Sequence, residues 1–354
     1  MIEHIWNGIG VMSGTSLDGI DLAWCRFEPT KNGISYNIVK AETFPYSEPM
    51  RHKLSNAFTM NALEYAKLDV ELGTLIADYI NRWTIGMEEP DFIASHGHTI
   101  FHQPQYGLTA QIGSGAVIAA HTGIPTVCDF RTVDVALQGQ GAPLVPIGDE
   151  LLFGDYDACL NLGGFANISF REQGRRVAFD TSPCNMALNE LASLLGVSYD
   201  KYGAFARQGH LIESLLHDLE QLAYYAQAYP KSLGKEWYDE VFKPILDKSL
   251  ECSEVQDVLH TVTFHIVNRI VSILPENVES MLVTGGGAHN TFLIELLQQQ
   301  WNGCVCVPNS LLIDYKEALV FAFLGLRRLL GTPNCLQSVT GACRDSCGGA
   351  VYRG

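Results

Sequence analysis

Residues 13–19 combine hydroxyl side chains and glycines in the manner of a phosphate-binding turn. They read Ser-Gly-Thr-Ser-Leu-Asp-Gly and separate an apolar run from an alternating run that starts at Ile20. This pattern predicts a β-hairpin. Successive backbone N–H groups in such a turn bind anions, and the hydroxyls add further contacts. An ordinary glycine-rich hairpin accounts for the same residues equally well, so the rest of the chain must decide between them.

Asp180 is the candidate general base. It follows the apolar residues 177–179, and a carboxylate held at the end of a strand can accept a proton during catalysis. The alternative is that Asp180 caps the next helix. Ser182 followed by Pro183 is a better predicted helix start, because proline at the first helical position lacks only an N–H that the helix does not use. We therefore expect the Asp180 carboxylate to be free for chemistry.

Length and charge exclude several classes of protein. A chain of 354 residues predicts two domains, and its 47% hydrophobic and 18% charged residues are typical of a globular protein. The net charge of −16, with no basic stripe, argues against a nucleic-acid or anionic-membrane partner. No secretory signal is visible at the amino terminus, and the longest apolar stretch, residues 318–326, is too short to span a bilayer.

The cysteines indicate a reducing compartment. Ten of them are spread at irregular spacing, without a C-x-x-C pair. This usage is typical of reduced thiols, so we expect a cytoplasmic enzyme without structural zinc. Cys304 and Cys306 lie in a predicted strand, which we expect to direct the two thiols to opposite faces.

The chain repeats one order of elements. Strand patterns over residues 5–12, 19–27 and 36–43 precede a helical pattern over 50–83 and a short strand over 92–95, which delivers His96 and His98 at its end. Strand patterns at 158–162, 167–170 and 175–179 repeat this order, with a second glycine turn between the first two. Helices follow, and a strand at 281–284 ends in three glycines.

This duplication predicts an α/β protein with two similar lobes that face a nucleotide cleft. The expected boundaries are 1–128 for a first lobe with the phosphate hairpin and 129–330 for a second lobe with the base and the adenosine loop. Residues 331–354 are expected to pack back on the first lobe.

The layout resembles the superfamily of actin, hexokinase and Hsp70, which has a ribonuclease H-like fold. Within it, the sequence is similar to the anhydro-N-acetylmuramic acid kinases. Seven ordered blocks carry this resemblance: residues 10–21 (GVMSGTSLDGID), 95–100 (SHGHTI), 129–131 (DFR), 139–146 (GQGAPLVP), 161–167 (NLGGFAN), 179–181 (FDT) and 284–288 (TGGGA). One departure follows Asp180, where residues 182–185 read Ser-Pro-Cys-Asn instead of the family's usual Gly-Pro-Gly-Asn.

The resemblance implies an ATP-dependent kinase. Water would open the 1,6-anhydro ring of anhydro-N-acetylmuramic acid at C1, and the freed O6 would take the γ-phosphoryl group. The product, N-acetylmuramic acid 6-phosphate, would belong to peptidoglycan recycling. An ordinary hexosamine kinase and an actin- or Hsp70-like ATPase with a binding role are the alternatives. Asp180 does not separate the two kinases, because both need a carboxylate base.

The resemblance also assigns the binding residues. The expected ATP-binding residues are Ser13, Gly14, Thr15, Ser16, Leu17, Asp18, Gly19, Ile20, Asp21, Gly163, Gly164, Asn167, Gly285, Gly286 and Gly287. The family's catalytic Asp falls on Asp180. The three glycines at 285–287 would form the adenosine side of the site, where helix N-terminal amides are available.

Sugar and metal contacts complete the expected site. Arg131 is a candidate for binding the lactyl carboxylate, and one of the two histidines, with His96 preferred, would orient the sugar. Glu317 would contact the sugar by resemblance, although its spacing from Asp314 also fits a helix capping box. Asp18 or Asp21 would hold Mg²⁺ through water. The sequence leaves a homodimer open.

Overall fold

The computed structural model describes residues 4–14, 17–31 and 33–354. Thr15 and Ser16, two of the predicted ATP-binding residues, lie outside the described part of the chain. The strands are β1 Trp6–Ser13, β2 Gly19–Thr30, β3 Gly33–Pro45, β4 Phe92–Gln103, β5 Leu108–Ile112, β6 Thr126–Cys128, β7 Ala158–Leu162, β8 Phe165–Glu172, β9 Arg175–Pro183, β10 Ser280–Thr284, β11 Cys304–Cys306 and β12 Ala350–Tyr352.

The helices begin with α1 after β3 and end with α13 before β12. They are α1 Glu48–Ser55, α2 Ala62–Trp83, α3 Gly115–Thr122, α4 Thr132–Ala136, α5 Pro146–Leu151, α6 Asn185–Ser193, α7 Glu213–Glu220, α8 Lys235–Trp237, α9 Lys243–Leu250, α10 Val255–Ser272, α11 Thr291–Gln300, α12 Ser310–Leu329 and α13 Gln337–Thr340. None of these helices is long and apolar enough to pass through a membrane.

The chain divides into two units. The first comprises Met1–Leu152 and Tyr315–Gly354, and the second comprises Phe153–Asp314. The predicted boundaries differ from these, since they assigned residues 129–152 and 315–330 to the second lobe. The physical reason is packing of α12 on the first sheet: a Cβ on Gly10 of β1 would clash with the carbonyl oxygen of Ala318.

Both units contain a sheet of the same strand order. In the first unit the order is β3-β2-β1-β4-β6, with β12 beyond β6 and β5 beside β4. In the second unit it is β9-β8-β7-β10-β11. In each sheet the first three strands are antiparallel and the next two run parallel to the first. This shared topology confirms the predicted duplicated, ribonuclease H-like α/β fold.

Each unit has its own hydrophobic core. In the first, β1 and β2 bury Ile9, Val11 and Leu22 against α2, which contributes Leu72 and Ile76. In the second, the central strands and α10 bury a separate apolar cluster that includes Leu160, Val283, Val262 and Ile266. These cores hold the strand ends that carry the candidate site residues.

Several predicted elements differ from the structure. The helical pattern over 50–83 forms two helices, α1 and α2. Strand β4 does not end before the histidines but continues to Gln103, because its second half pairs with β5. Ser182 and Pro183 do not start a helix: they pair with Ala166 and Phe165 in the sheet.

The start of α12 also differs from its prediction. The helix begins at Ser310 and is kinked at Tyr315, so Glu317 lies inside it and cannot take part in the suggested capping box. Asp314 instead contacts His289, with Oδ1 2.8 Å from Nε2.

Candidate active site

A row of polar residues crosses the sheet of the second unit. Asn161 on β7 pairs with Asn167 on β8, and Asn167 pairs with Asp180 on β9. Thr284 at the end of β10 pairs with Asn161 on its other side. Directly paired residues of neighbouring strands project from the same face of a sheet. The side chains of Asn161, Asn167 and Thr284 therefore lie on the same face of the sheet as the Asp180 carboxylate.

A β-bulge brings Asp180 into this row. The pairing shifts between Ala166 and Asn167, so Thr181 has no direct partner and its hydroxyl donates to the Ala166 carbonyl at 3.1 Å. Bulges redirect side chains and are frequent beside active sites.

Only one oxygen of the Asp180 carboxylate has a hydrogen-bond partner among the described residues. Its Oδ2 accepts the backbone N–H of Leu233 at 2.8 Å. Burial raises the pKa of Asp180 to about 6, although the Leu233 N–H lowers it. A carboxylate with a pKa near neutrality is suited to general base catalysis.

The two glycine turns of the second unit lie side by side. A Cβ on Gly285, whose φ is +80°, would lie 2.6 Å from Asn161 Oδ1, and one on Gly287 would lie 2.6 Å from Leu162 Cβ. A Cβ on Gly164 or Gly286 would make only ordinary van der Waals contacts, with nearest neighbours at 3.9 and 3.7 Å. The structure thus brings residues 163–164 and 285–287 together, and a Cβ would fit without a clash at two of these glycines.

The start of α6 holds the 163–164 turn. The Gly163 and Gly164 carbonyls accept N–H groups from Asn185 and Cys184, at 3.0 and 2.8 Å. The Asn185 side chain donates to the Leu162 carbonyl at 2.8 Å. Cys184, at which this sequence departs from the family's glycine, has its side chain fully buried in the core.

In the first unit, the end of β1 is fixed by a buried hydroxyl network. Ser13 Oγ lies 2.6 Å from the Tyr46 hydroxyl and 2.9 Å from His98 Nδ1. Burial lowers the pKa of His98 to about 4, so its imidazole is neutral at physiological pH. His98 therefore fixes the side chain of Ser13. Beyond the end of β1, Leu17 has a φ of +60°, and its N–H donates to the carbonyl oxygen of Gly14.

The other described residues of the predicted phosphate hairpin differ in exposure and in the contacts that they make. Ile20 is buried in the core, and a Cβ on Gly19 would clash with the backbone of Phe44 on β3. Asp18 is exposed. Asp21 Oδ1 accepts the Thr43 hydroxyl at 2.6 Å, and the same hydroxyl lies 3.2 Å from Tyr315 Oη on α12.

Arg131 and Glu317 form a second group in the first unit. Arg131 donates from Nε to His96 Nε2 at 3.0 Å and from Nη1 to the Gly141 carbonyl at 2.6 Å. Burial lowers the pKa of Arg131 to about 10, so it stays charged. Glu317 is exposed, and it lies close enough to Arg131 and Asp21 for their charges to interact.

The described residues contain no cluster of three or more His, Cys, Asp or Glu side chains that could hold a metal ion. A magnesium ion that keeps most of its water needs only one or two carboxylates. Asp21 and Glu317 lie close enough for their charges to interact. Asp18 is exposed.

The prediction for Cys304 and Cys306 is wrong. Their sulfur atoms are 3.4 Å apart. Residues two apart in a strand lie on the same face, because side chains alternate between the faces. All ten cysteines are free thiols.

Sequence reasoning missed several site residues. Asn161 belongs to the motif at 161–167, and its place in the polar row follows only from the strand pairing. Tyr315 and Asn185 carry side-chain hydrogen bonds at the site, and Leu233 contributes only a backbone N–H. No sequence pattern could identify the last of these, because every residue except proline has that group.

Comparison with known proteins connects this site to one family. The sequence matches the anhydro-N-acetylmuramic acid kinase family over residues 7–354. A protein of that name from Aliivibrio fischeri is 38% identical over 365 residues, covering 97% of this chain and 98% of the relative. Another from Bacillus thuringiensis is 33% identical and covers 94% of this chain and 96% of the relative.

Solved structures are more distant. A ROK family glucokinase from Streptomyces griseus, solved with glucose and AMPPNP, is 11% identical, with a TM-score of 0.41, covering 89% of this chain and 97% of that one. An activator of 2-hydroxyisocaproyl-CoA dehydratase from Clostridium difficile, with bound ADPNP, is 11% identical, with a TM-score of 0.43, covering 92% and 97%.

The family match defines a phosphotransferase that acts on a sugar hydroxyl. Within that class, the chain belongs to the anhydro-N-acetylmuramic acid kinase family, as the sequence motifs predicted.

Proposed function

We propose that this protein opens the 1,6-anhydro ring of anhydro-N-acetylmuramic acid with water and phosphorylates O6 from ATP. The products are N-acetylmuramic acid 6-phosphate and ADP, and the reaction serves peptidoglycan recycling. Family membership supports this substrate, and the environment of Asp180 supports the chemistry.

The single observation that carries the proposal is the state of Asp180. Its Oδ2 accepts the Leu233 N–H, and its pKa is raised to about 6 by burial. At neutral pH the carboxylate is ionised, yet basic enough to remove a proton from water in the transition state. An ordinary surface carboxylate would be a weaker base by about two pKa units.

The reaction requires one base and one acceptor of the phosphoryl group. Asp180 takes a proton from water as the water oxygen bonds to C1, and the electron pair of the C1–O6 bond moves to O6. O6 then bonds to the γ-phosphorus, and the bond between that phosphorus and the bridging oxygen of ADP breaks. Positioning and charge stabilisation account for most catalysis of such transfers.

The glycine turns are the proposed phosphate and nucleotide contacts. Gly164 and Gly286 have no side chain, so their backbone is the proposed point of approach for a phosphate or a flat nucleotide. In the first unit, the predicted residues 13–21 supply further backbone contacts. Asp21, with Asp18 through water, would hold Mg²⁺, which neutralises phosphate charge when bound with ATP.

Arg131 is the proposed contact of the lactyl carboxylate. Its Nε–H is donated to His96 and one Nη1 hydrogen is donated to the Gly141 carbonyl, so the second Nη1 hydrogen and both Nη2 hydrogens remain for a carboxylate. His96 acts by orienting this guanidinium. Glu317 is the proposed hydrogen-bond acceptor for a sugar hydroxyl.

The test is an incubation of the protein with Mg-ATP and 1,6-anhydro-N-acetylmuramic acid in ¹⁸O-labelled water, followed by mass spectrometry of the product. A sugar 6-phosphate with one heavy oxygen at C1 is the expected result. A phosphate product from N-acetylglucosamine but none from the anhydro sugar would indicate the ordinary hexosamine kinase. ATP hydrolysis that no amino sugar changes would indicate the ATPase alternative.

We also propose that the protein works in the cytoplasm. The absence of any disulfide among its ten cysteines supports a reducing compartment. ATP, the proposed phosphoryl donor, is available there.

A further inference from the structure

The segment formed by residues 224–233, here called the strap, contacts Asp180 at three points. The Tyr224 hydroxyl donates to the Asp180 carbonyl at 2.7 Å. The Asp180 N–H donates to the Lys231 carbonyl at 3.4 Å, and the Leu233 N–H donates to Asp180 Oδ2 at 2.8 Å. The strap therefore holds both the backbone and one carboxylate oxygen of Asp180.

A buried relay anchors the strap to α10. The Tyr225 hydroxyl lies 2.8 Å from His265 Nε2, and His265 Nδ1 lies 2.8 Å from Glu220 Oε1. Because the Glu220 carboxylate can only accept, His265 carries its proton on Nδ1 and accepts from Tyr225 at Nε2. Burial lowers the pKa of His265, which keeps the ring neutral and this arrangement fixed. Arg269 forms an ion pair with Glu220 and closes the relay.

Aromatic contacts fix the other half of the strap. The Tyr229 ring stacks on Phe179, the residue before Asp180, with centroids 4.8 Å apart and planes at 1°. Lys231 donates to the Tyr224 carbonyl at 3.1 Å, and its ammonium lies 4.6 Å from the Tyr224 ring centroid. These contacts leave the strap little freedom to move away from the end of β9.

We propose that the strap positions Asp180 so that Oδ1 is the atom that takes the proton, with Tyr224 as the principal positioning residue. This inference rests on the proposed function of Asp180 as the base. Oδ2 is committed to the Leu233 N–H, whereas Oδ1 has no hydrogen-bond partner among the described residues. The Leu233 N–H withdraws electron density from Oδ2, so Oδ1 is the oxygen better placed to take a proton from water.

Among the described residues, Tyr224 and Lys231 are titratable groups of the strap, and Glu172 is a charged group that contacts the strap. Tyr224 faces its backbone, and burial followed by the Asp180 charge raises the pKa of Tyr224, so its hydroxyl stays protonated and donates. Lys231 lies over the Tyr224 and Phe179 rings, and burial followed by Arg269 lowers its pKa. The Glu172 side chain forms a hydrogen bond with Tyr229 in the strap.

The first experiment replaces Tyr224 by phenylalanine, which removes only the hydroxyl and keeps the ring. We expect kcat to fall about tenfold, the effect of one lost hydrogen bond, while KM for ATP and for the anhydro sugar changes less than about twofold. Tyr225→Phe, which weakens the anchor, should produce a smaller loss in the same direction. Tyr199→Phe, at a tyrosine that is 55% exposed, is the matched control and should change nothing.

A second measurement reads the carboxylate directly. In protein labelled with ¹³C at the aspartate carboxyls, the Asp180 signal is assigned by its loss in Asp180→Asn. Loosening the strap weakens the Leu233 hydrogen bond to the charged form, so Tyr224→Phe should raise the pKa of Asp180 by ~0.5 unit. Tyr224→Phe added to Asp180→Asn should cause no further fall in residual turnover.

These readouts separate the two proposals. If the wild-type protein does not turn over the anhydro sugar but Tyr224→Phe still shifts the Asp180 titration, the proposed function is wrong. The strap would then still be shown to position Asp180. If the wild type is active and Tyr224→Phe changes neither kcat nor the titration, the strap is not a positioning element. An equal loss of activity in the Asp180→Asn background would also overturn it, because the effect would then not pass through Asp180.

Discussion

His96 accepts a hydrogen bond at Nε2 from the Nε of Arg131 over 3.0 Å, while its Nδ1 lies 2.9 Å from the carbonyl oxygen of Gly97. A carbonyl only accepts, so the ring carries its proton on Nδ1 and is neutral. Burial and the Arg131 charge lower the pKa of His96, which preserves this state. The histidine therefore orients the guanidinium and does not compete with it for an anionic ligand.

Arg131→Lys should weaken binding of the sugar selectively. A lysine has no planar fork and cannot contact His96, Gly141 and a carboxylate at once. We expect KM for the anhydro sugar to rise about 10- to 100-fold, with KM for ATP almost unchanged. Steady-state kinetics with each substrate varied would measure this. A sugar that lacks the lactyl group is the control: if the substitution impairs its phosphorylation equally, Arg131 does not bind the carboxylate.

Asp180→Asn should stabilise the fold at neutral pH. The folded-state pKa of Asp180 is raised from 3.8 to about 6, so the folded protein binds this proton more tightly than the unfolded chain does. Ionisation then destabilises the fold increasingly as pH rises from about 4 to about 6, and by a constant amount above that. The variant should be more stable by about 3 kcal/mol at pH 7.5, with the difference vanishing towards pH 4.

Urea unfolding of both proteins across this pH range would check the prediction. A stability difference that is independent of pH would contradict it, because any effect of the substitution other than lost ionisation has no reason to follow the titration of Asp180. Turnover should fall by about two to four orders of magnitude in the same variant.

Gly164→Ala tests whether a phosphate approaches the second-unit turn. A Cβ there would have only Met186 Cε near it, at 3.9 Å, so the protein should fold with an unchanged melting temperature. If the backbone contacts a phosphate, KM for ATP should nevertheless rise by about tenfold or more. Gly285→Ala is the contrasting variant, because its φ of +80° and the nearby Asn161 predict a loss of stability as well. An unchanged KM in Gly164→Ala would remove this turn from the phosphate site.

Asp134→Asn should destabilise the first unit. Asp134 is 1% exposed and accepts from the Gly141 N–H at 2.8 Å, the Thr340 hydroxyl at 2.8 Å and the Cys335 thiol at 3.1 Å. An asparagine must turn an N–H towards at least one of these donors. We expect a loss of about 2–4 kcal/mol in urea unfolding.

Asp218→Asn, at an exposed carboxylate, is the matched control and should leave stability unchanged. Because Gly141 also accepts from Arg131, the Asp134 variant should raise KM for the sugar too. A normal melting temperature in Asp134→Asn would show that the buried carboxylate does not hold this loop.

Sequence reasoning predicts those parts of the fold that depend on local pattern. The alternation from Ile20 and the turns at 163–164 and 285–287 correctly indicated hairpins and strand ends, since side-chain periodicity and glycine act within a few residues. It failed where long-range pairing decides. Ser182 has a side chain suited to a helix cap, but its backbone pairs with Ala166 of β8. A capping pattern depends on residues within one turn of the helix start, so it does not reveal this pairing.

The same limit applies to the site. Asp180 could be singled out from its position after an apolar strand. Its partner Tyr224 lies 44 residues further along the chain and Leu233 lies 53 further, and neither belongs to a motif. The kink at Tyr315 was equally hidden, because the spacing of Asp314 and Glu317 indicates the start of a helix and not a bend within one.

The discontinuity of the first unit has a consequence for synthesis of the protein. The second unit is one uninterrupted segment, Phe153–Asp314, whereas the first needs Tyr315–Gly354 to return to its sheet. While the chain is still on the ribosome, the contact between Gly10 and the α12 backbone cannot form until α12 has been synthesised. In the same way, β6 cannot pair with β12 until β12 has been synthesised. Domains generally fold as units during translation. The second unit can therefore mature first, and the segment made earliest must be kept from aggregating until the last one emerges.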